Sequence, residues 1–262
     1  MRLHPTRTAL GVLAAVTLAT PVWAQTPSQP ELASGFASKR AVQAQRFMVA
    51  SANPLATDAG YEMLKRGGSA VDAAIAVQLV LTLVEPQSSG IGGGAFMLFF
   101  DNRKDAVTAY DGRETAPAAA TEALFLGPDG KPLAFYEGVV GGRSVGVPGV
   151  VRLMEMAHAQ HGKLPWADLF APAIRLATEG FAVSPRLNTL LAGEQHLKKD
   201  PVAARYFYDT EGKPRPVGHV LKNPELAATF KTLATEGASA FYRGPIAKDI
   251  VAKVQGHPSN PG

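Results

Sequence analysis

A cluster of glycines constrains this chain more than any other feature. Four glycines fall within residues 90–94, inside the longer segment 85–96 (EPQSSGIGGGAF), which we call the glycine loop. An apolar helix-like run precedes the loop and an apolar strand-like run follows it. Such clustering indicates that the backbone passes close to another group, or adopts φ angles that side chains forbid. We therefore predict a close approach of helix and sheet at this loop.

Phosphate binding is the first chemical alternative for the glycine loop. The loop lacks the Gly-Lys-Ser/Thr ending of a P-loop, and its helix precedes the glycines instead of following them. Ser88 and Ser89 are alternative nucleophiles, but the Gly-x-Ser-x-Gly elbow is absent. The sequence therefore favours a structural role for the loop.

The first 24 residues have the pattern of a secretory signal peptide. Arg2 and Arg7 precede an apolar run at residues 9–19, and residues 22–24 (VWA) resemble a cleavage site. The run is too short to span a bilayer, which takes ~20 residues. We therefore assign residues 1–24 to a signal peptide and residues 25–46 to a flexible lead-in. The expected location is periplasmic or secreted, with no membrane contact after cleavage.

Charge and cysteine content exclude several classes of protein. The chain has 26 basic and 22 acidic residues, and two of the basic ones lie in the signal. This small excess does not indicate nucleic-acid binding. Cysteine is absent, which excludes disulfides and thiolate metal sites. His158 and His161 have the spacing of a helical metal pair but lack a third nearby ligand. We expect no metal and no cofactor.

The order of apolar runs and turn residues predicts helices that flank a sheet, followed by a helical second half. Strands are predicted at residues 47–51, 95–100, 106–110 and 139–147. A helix ending near Gly67 and a second, almost wholly apolar helix begun by Ser69 precede the glycine loop. Pro148-Gly149 opens a predicted helix to His161, Ser184-Pro185 starts another, and Asn223 caps one that leads to Gly237. Further helices are predicted at residues 165–179 and 244–255.

Arg113 is the candidate binding residue. It follows the predicted strand 106–110 and therefore lies beside the glycine loop. A planar guanidinium makes two parallel hydrogen bonds to a carboxylate, which lysine cannot do. Arg113 is thus placed to bind a small acid. The alternative is an arginine that is solvated or paired with Glu114, with no ligand.

Several segments in a fixed order carry a family resemblance. The chain resembles the large-subunit half of the γ-glutamyltranspeptidases (glutathione hydrolase proenzymes) over residues 47–262. The matching segments are the glycine loop and residues 48–56 (MVASANPLA), 67–74 (GGSAVDAA), 113–117 (RETAP), 144–149 (SVGVPG), 164–166 (LPW), 171–177 (APAIRLA) and 240–244 (AFYRG). The resemblance implies an α+β fold, the four-layer αββα sandwich of N-terminal-nucleophile hydrolases, of which this chain holds the large-subunit part.

The resemblance also implies a reaction and a partner. Members of the family cleave themselves into two subunits, and the small subunit then begins with a catalytic threonine. That threonine attacks the γ-glutamyl amide of substrates such as glutathione, and its own α-amine acts as the base. Arg113 matches the family arginine that holds the α-carboxylate of the donor. The implied partner is the small subunit from the same precursor.

The departure from the family pattern is as informative as the match. No Thr-Thr-His segment occurs in the sequence, so we assign no catalytic residue. The expectation is a partial large-subunit domain, residues 47–262, truncated before the catalytic threonine and inactive on its own. Half of a shared sheet is also expected to leave strand edges and apolar surface exposed.

Two other functions remain open on the sequence. A related acylase that acts on cephalosporins or poly-γ-glutamate would share these segments. A non-catalytic periplasmic binding protein could use Arg113 for glutamate-like ligands.

Overall fold

A computed structural model describes residues 40–258 and 260–262. The predicted signal peptide (residues 1–24) and residues 25–39 of the predicted lead-in lie outside the described residues. Within the described ranges, no helix is both long and apolar enough to cross a membrane.

The first two helices form as their capping residues predict. Helix α1 (Pro54–Lys65) begins where the Asn53 side chain accepts a hydrogen bond from the Leu55 amide at 3.1 Å. It is followed by Gly67, whose φ of 88° stops the helix. Helix α2 (Ala70–Val84) begins with the predicted capping box between Ser69 and Asp72.

Helix α2 is the centre of the core, and both its ends are fixed by buried carboxylates. At its start, Asp72 accepts hydrogen bonds from the backbone amides of Ser69, Lys163 and Leu164 at 2.7, 2.9 and 3.2 Å. These bonds attach α2 to the loop that follows a later helix. Because a buried carboxylate is costly without partners, Asp72 specifies where α2 begins.

At the other end of α2, Glu85 is almost fully buried. Its carboxylate accepts hydrogen bonds from Asn53 at 3.0 Å, from Gln87 at 2.6 Å and from Arg186 at 3.1 Å. The residue that opens the glycine loop is therefore held by groups from two other parts of the chain and by one residue of the loop itself.

A two-stranded antiparallel hairpin follows the glycine loop. Strand β1 (Ala95–Asp101) pairs with β2 (Ala106–Gly112) in a register that places Ala95 opposite Gly112. One face of the hairpin packs on the core, where the Phe99 ring stacks on His161 at a centroid distance of 3.9 Å. The predicted strand pair at residues 95–110 is confirmed.

The other face of the hairpin is apolar and exposed. Leu98 is 76% exposed, and Phe96, Phe100 and Val107 are also exposed on the same face. We call this set the outer sheet face. The apolar run at residues 95–100 predicts a buried strand, and this expectation is wrong, because no element in the described part of the chain covers this face. The expected exposure of apolar surface is confirmed.

The second half is mainly helical, as predicted. The helices Val150–His161 and Ala171–Glu179 pack on α2, and the helix Pro224–Glu236 packs on the second of these. Two two-residue strands from distant parts of the chain pair antiparallel, and the fold is α+β. The elements are α3 (Phe135–Val139), α4 (Val150–His161), α5 (Ala171–Glu179), β3 (Phe181–Ala182), α6 (Pro185–Gly193), α7 (Pro201–Phe207), β4 (Val220–Leu221), α8 (Pro224–Glu236), α9 (Ser239–Tyr242) and α10 (Pro245–Gln255), with 3₁₀ turns at Gly142–Ser144, Trp166–Phe170 and Leu197–Lys199.

Two predicted strands are absent from the described structure. Residues 47–51 are irregular, and Phe47 instead contacts the ring of Tyr61 on α1 at 5.4 Å. Residues 139–147 contain a 3₁₀ turn, and only Val147 makes a β-bridge, to Thr115. Gly141, with a φ of 126°, interrupts any extended run there.

Three glycines allow the close approach that the sequence predicts. A Cβ on Gly94 would lie 2.7 Å from Glu114 Oε2 and 2.7 Å from the Gly112 carbonyl oxygen. A Cβ on Gly149 would lie only 2.2 Å from the same carbonyl. The Gly149 amide also donates to the Gly93 carbonyl at 3.0 Å. The glycine loop, the end of β2 and the start of α4 therefore meet without room for side chains.

Replacing Gly94 by alanine should destabilise the fold. The new methyl group meets backbone atoms that cannot rotate away, so we expect a loss of about 1–3 kcal/mol in the free energy of unfolding. Gly92→Ala is the matched control, because a Cβ there meets nothing within 4 Å. It should change stability by less than about 0.5 kcal/mol. Chemical denaturation of both variants, followed by circular dichroism, measures the difference. Equal stabilities would contradict the close approach.

Leu98→Lys should reduce the exposed apolar surface of the chain. We expect lower fluorescence of bound 8-anilinonaphthalene-1-sulfonate and less aggregation, because the charge interrupts the outer sheet face at its most exposed residue. Val202→Lys, on an exposed position of α7, is the control and should change dye binding much less. If both variants behave alike, the outer sheet face is not the main apolar surface.

Candidate functional site

Arg113 lies at the end of β2, in a short segment that is fixed on both sides. Before it, Asp111 accepts a hydrogen bond from the Arg113 amide at 2.9 Å. After it, Thr115 and Val147 exchange backbone hydrogen bonds of 2.8 and 3.3 Å. The backbone of Arg113 and Glu114 is therefore held by local contacts.

The Arg113 side chain is 71% exposed and forms an ion pair with Glu114, with an Nε–Oε2 distance of 3.5 Å. The pairing is the one that the sequence offered as an alternative to ligand binding. A pair this long and this exposed is weak, because water screens it. Arg113 thus keeps most of its hydrogen-bonding capacity, and its role in binding remains a prediction.

A groove of about 640 Å³ runs between β2 and α4. We call it the arginine groove, because three arginines line it. The polar residues along it are Thr108, Tyr110, Asp111, Arg113, Thr115, Arg152, Gln160, Tyr242 and Arg243. Its cationic groups and its single lining carboxylate, Asp111, suit an acidic ligand.

A second, smaller hollow of about 380 Å³ lies over the glycine loop. Its lining includes Gln78, Ser88, Ser89 and Glu114. The Glu114 carboxylate sits against Gly94, where a Cβ would clash with it. The consecutive residues Arg113 and Glu114 therefore line different hollows: Arg113 lines the arginine groove, and Glu114 lines the hollow over the glycine loop.

Two tyrosines of the arginine groove hold their hydroxyl protons firmly. Burial raises the pKa of Tyr110, whose hydroxyl lies 3.0 Å from Gln160 Oε1 and 2.8 Å from His161 Nε2. Burial also raises the pKa of Tyr242, and the hydrogen bond from the Arg152 amide offsets part of that shift. Both side chains are therefore neutral at physiological pH and serve as hydrogen-bonding groups.

The other residues considered from the sequence do not join a catalytic arrangement. His158 Nε2 lies 2.9 Å from the Leu164 carbonyl, and His161 is engaged with Tyr110. Ser88 and Ser89 line the smaller hollow. The structure thus brings Arg113 into a groove but places the histidine pair in structural contacts, with the Leu164 carbonyl and with Tyr110 and Phe99.

Sequence reasoning missed three residues of the arginine groove. Arg152 lies one turn into α4, and Tyr242 and Arg243 lie at the end of α9. The segment 240–244 carried the family resemblance but no assigned role. Two aromatic residues followed by an arginine in this segment were the sequence signal that could have indicated a binding surface.

Comparisons with known proteins converge on one family. The family model described as gamma-glutamyltranspeptidase matches residues 56–260. The glutathione hydrolase proenzyme of Bacillus subtilis (strain 168) is 41% identical over 208 residues, which cover 79% of this chain and 35% of that protein. The chain therefore spans about a third of the length of this curated relative.

Solved structures give the same result. The gamma-glutamyltranspeptidase of Helicobacter pylori matches with a TM-score of 0.79 and 30% identity, covering 83% of this chain and 62% of that one. A cephalosporin acylase from Bacillus halodurans matches with a TM-score of 0.64 and 30% identity, covering 84% of this chain and 42% of that one.

The exposure of Arg113 predicts that this side chain contributes little to stability. We expect Arg113→Met to change the free energy of unfolding by less than about 1 kcal/mol. Glu85→Gln is the contrasting variant, because it weakens a buried hydrogen-bonded carboxylate; it should cost about 1–3 kcal/mol. Urea denaturation of both variants measures this. A large loss for Arg113→Met would make Arg113 a structural residue.

Proposed function

This chain belongs to the γ-glutamyltranspeptidase family, and we propose that it forms the donor-binding part of an enzyme that transfers or hydrolyses γ-glutamyl groups. The substrates are glutathione and other γ-glutamyl amides. The observation that carries the proposal is the position of Arg113 on the arginine groove, in the family segment RETAP.

The proposed role of Arg113 follows from the chemistry of the donor. A γ-glutamyl group keeps a free α-carboxylate, and a guanidinium binds a carboxylate through two parallel hydrogen bonds. The weak pair with Glu114 leaves Arg113 able to exchange that partner for a substrate carboxylate. Binding at the α-carboxylate holds the γ-carbonyl at a fixed distance from Arg113, where the nucleophile must reach it.

The proposed nucleophile is a threonine supplied by the part of the relatives' length that this chain does not match. Its hydroxyl oxygen attacks the γ-carbonyl carbon while its own α-amine takes the hydroxyl proton. The amide C–N bond then breaks and the leaving amine takes up that proton. Water or an acceptor amine releases the glutamyl group from the ester. Accordingly, we propose that this chain alone does not bind donor measurably and does not turn it over.

The outer sheet face supports a two-subunit arrangement. Its exposed Phe96, Leu98, Phe100 and Val107 form an apolar surface of the kind that packs on a second sheet. The proposed partner is the small subunit derived from the same precursor. Export to the periplasm or medium remains a proposal based on residues 1–24.

A cephalosporin or poly-γ-glutamate acylase is the second candidate. The likeness to the cephalosporin acylase favours it, although the TM-score is lower than for the Helicobacter pylori transpeptidase. Comparing γ-glutamyl amides with glutaryl amides separates the cephalosporin acylase from the transpeptidase, because only the former amides carry the α-amino group. Faster turnover of the glutaryl amide would favour the acylase.

A non-catalytic binding protein is the third candidate. Isothermal titration calorimetry of this chain with glutamate tests it. We expect no measurable heat of binding, since Arg113 alone is screened by water. Micromolar binding would favour the binding protein.

Kinetics of Arg113 variants in the full two-subunit protein test the proposed function. We expect Arg113→Met to lower kcat/KM for glutathione by roughly 30- to 1000-fold, because a charge-assisted pair is lost. Arg113→Lys should fall between wild type and Arg113→Met, since lysine keeps the charge but not the two-bond geometry. Arg103→Met, in the exposed hairpin turn, is the control and should match wild type. Wild-type kinetics for Arg113→Met would refute the proposed role.

A further inference from the structure

Among the described residues, Arg243 is the arginine of the arginine groove that has no ion-pair partner. Of the three arginines that line it, Arg113 pairs with Glu114 and Arg152 pairs with Glu155. Arg243 is exposed and has no carboxylate within ion-pairing distance among residues 40–258 and 260–262. Its charge is therefore the uncompensated one along the groove.

Arg243 is also held in place by its neighbours. The Tyr242 hydroxyl accepts a hydrogen bond from the Arg152 amide at 3.0 Å, and the Arg152 guanidinium lies 5.1 Å from the centre of the Tyr242 ring. These contacts attach the end of α9 to α4. Arg243 then has an extended backbone, and Gly244 turns with a φ of 84°. The backbone that carries the guanidinium is thus fixed at the groove.

The spacing along the groove suits a short peptide. Gly149, at the start of α4, lies against Arg113: a Cβ there would be 3.0 Å from the Arg113 carbonyl oxygen. Arg152 is three residues further along, which is about 4.5 Å of helical rise. Tyr242 contacts Arg152, and Arg243 follows Tyr242 in the lining of the same groove. An extended tripeptide spans about 10 Å, so one ligand can contact both ends of such a groove.

We propose that Arg243 binds the C-terminal carboxylate of γ-glutamyl peptide donors while Arg113 binds their α-carboxylate. Arg243 would then make the enzyme selective for γ-glutamyl peptides over γ-glutamyl amides that lack the second carboxylate. This inference rests on the proposed function and names a specificity-determining residue for it.

The expected effect is on binding of the donor and not on its chemistry. The second carboxylate is remote from the γ-carbonyl, so its contact has the same strength in the ground state and the transition state. Because Arg243 is exposed, water and salt screen the contact. Loss of the guanidinium should therefore raise KM by roughly five- to tenfold at low salt and leave kcat unchanged.

The test compares two donors in the full two-subunit enzyme. Glutathione carries the second carboxylate, and its glycyl ethyl ester lacks that charge. We expect Arg243→Met to raise KM for glutathione and leave KM for the ester unchanged, with kcat constant for both. Arg243→Lys should recover part of the affinity, since it restores the charge. Arg103→Met is the matched control for loss of an exposed arginine.

Raising the salt concentration should reduce the preference of the wild type for glutathione.

The outcomes separate this inference from the proposed function. If Arg243→Met is active and its KM for glutathione is unchanged, or rises equally for the ester, the role of Arg243 is overturned and the proposed function stands. If the wild-type enzyme turns over neither donor, the proposed function fails and this inference fails with it. A changed kcat with unchanged KM would also overturn the role of Arg243.

Discussion

The close approach of three glycines determines where the candidate site lies. Gly94, Gly112 and Gly149 bring the glycine loop, the end of β2 and the start of α4 within backbone contact. A Cβ at any of these positions would lie less than 3 Å from another heavy atom. Because β2 must end against α4, the next residue, Arg113, emerges at the mouth of the arginine groove. The packing constraint and the binding site are therefore one feature of the fold.

Local chemistry explains which parts of the fold the sequence predicts. Ser69, Asn223 and Ser184 cap helices at the expected positions, because capping depends on residues two or three apart. The strands predicted at residues 47–51 and 139–147 depend instead on distant pairing partners, and the described chain offers only the Thr115–Val147 bridge. An extended segment without a partner leaves its backbone groups unpaired, so propensity alone does not make a strand.

In the candidate site, too, features set by neighbouring residues are predictable and features set by distant partners are not. The position of Arg113 directly after a strand is predictable, because strand and turn signals are local, whereas its role in binding stays a prediction. Its neighbours across the groove are not predictable in this way: the hydrogen bond from Arg152 to Tyr242 joins residues 90 positions apart. Only the tertiary structure shows that these residues and Arg243 face one groove. The burial of Asp72 and Glu85 is likewise set by distant partners, which the apolar pattern of α2 does not reveal.

The strength of ligand binding at Arg113 depends on whether another polypeptide covers the surrounding surface and excludes water. In the described chain, the Arg113–Glu114 pair spans 3.5 Å and is largely exposed, so a substrate carboxylate gains little by replacing Glu114. A polypeptide that packs on the outer sheet face and extends over the groove would exclude water and strengthen every charge contact within it. Glu114 would then stay on the glycine side, against Gly94, while Arg113 takes the incoming carboxylate. In the proposed two-subunit enzyme, assembly and affinity for the donor would arise together, because the same covering surface would bury Leu98 and desolvate Arg113.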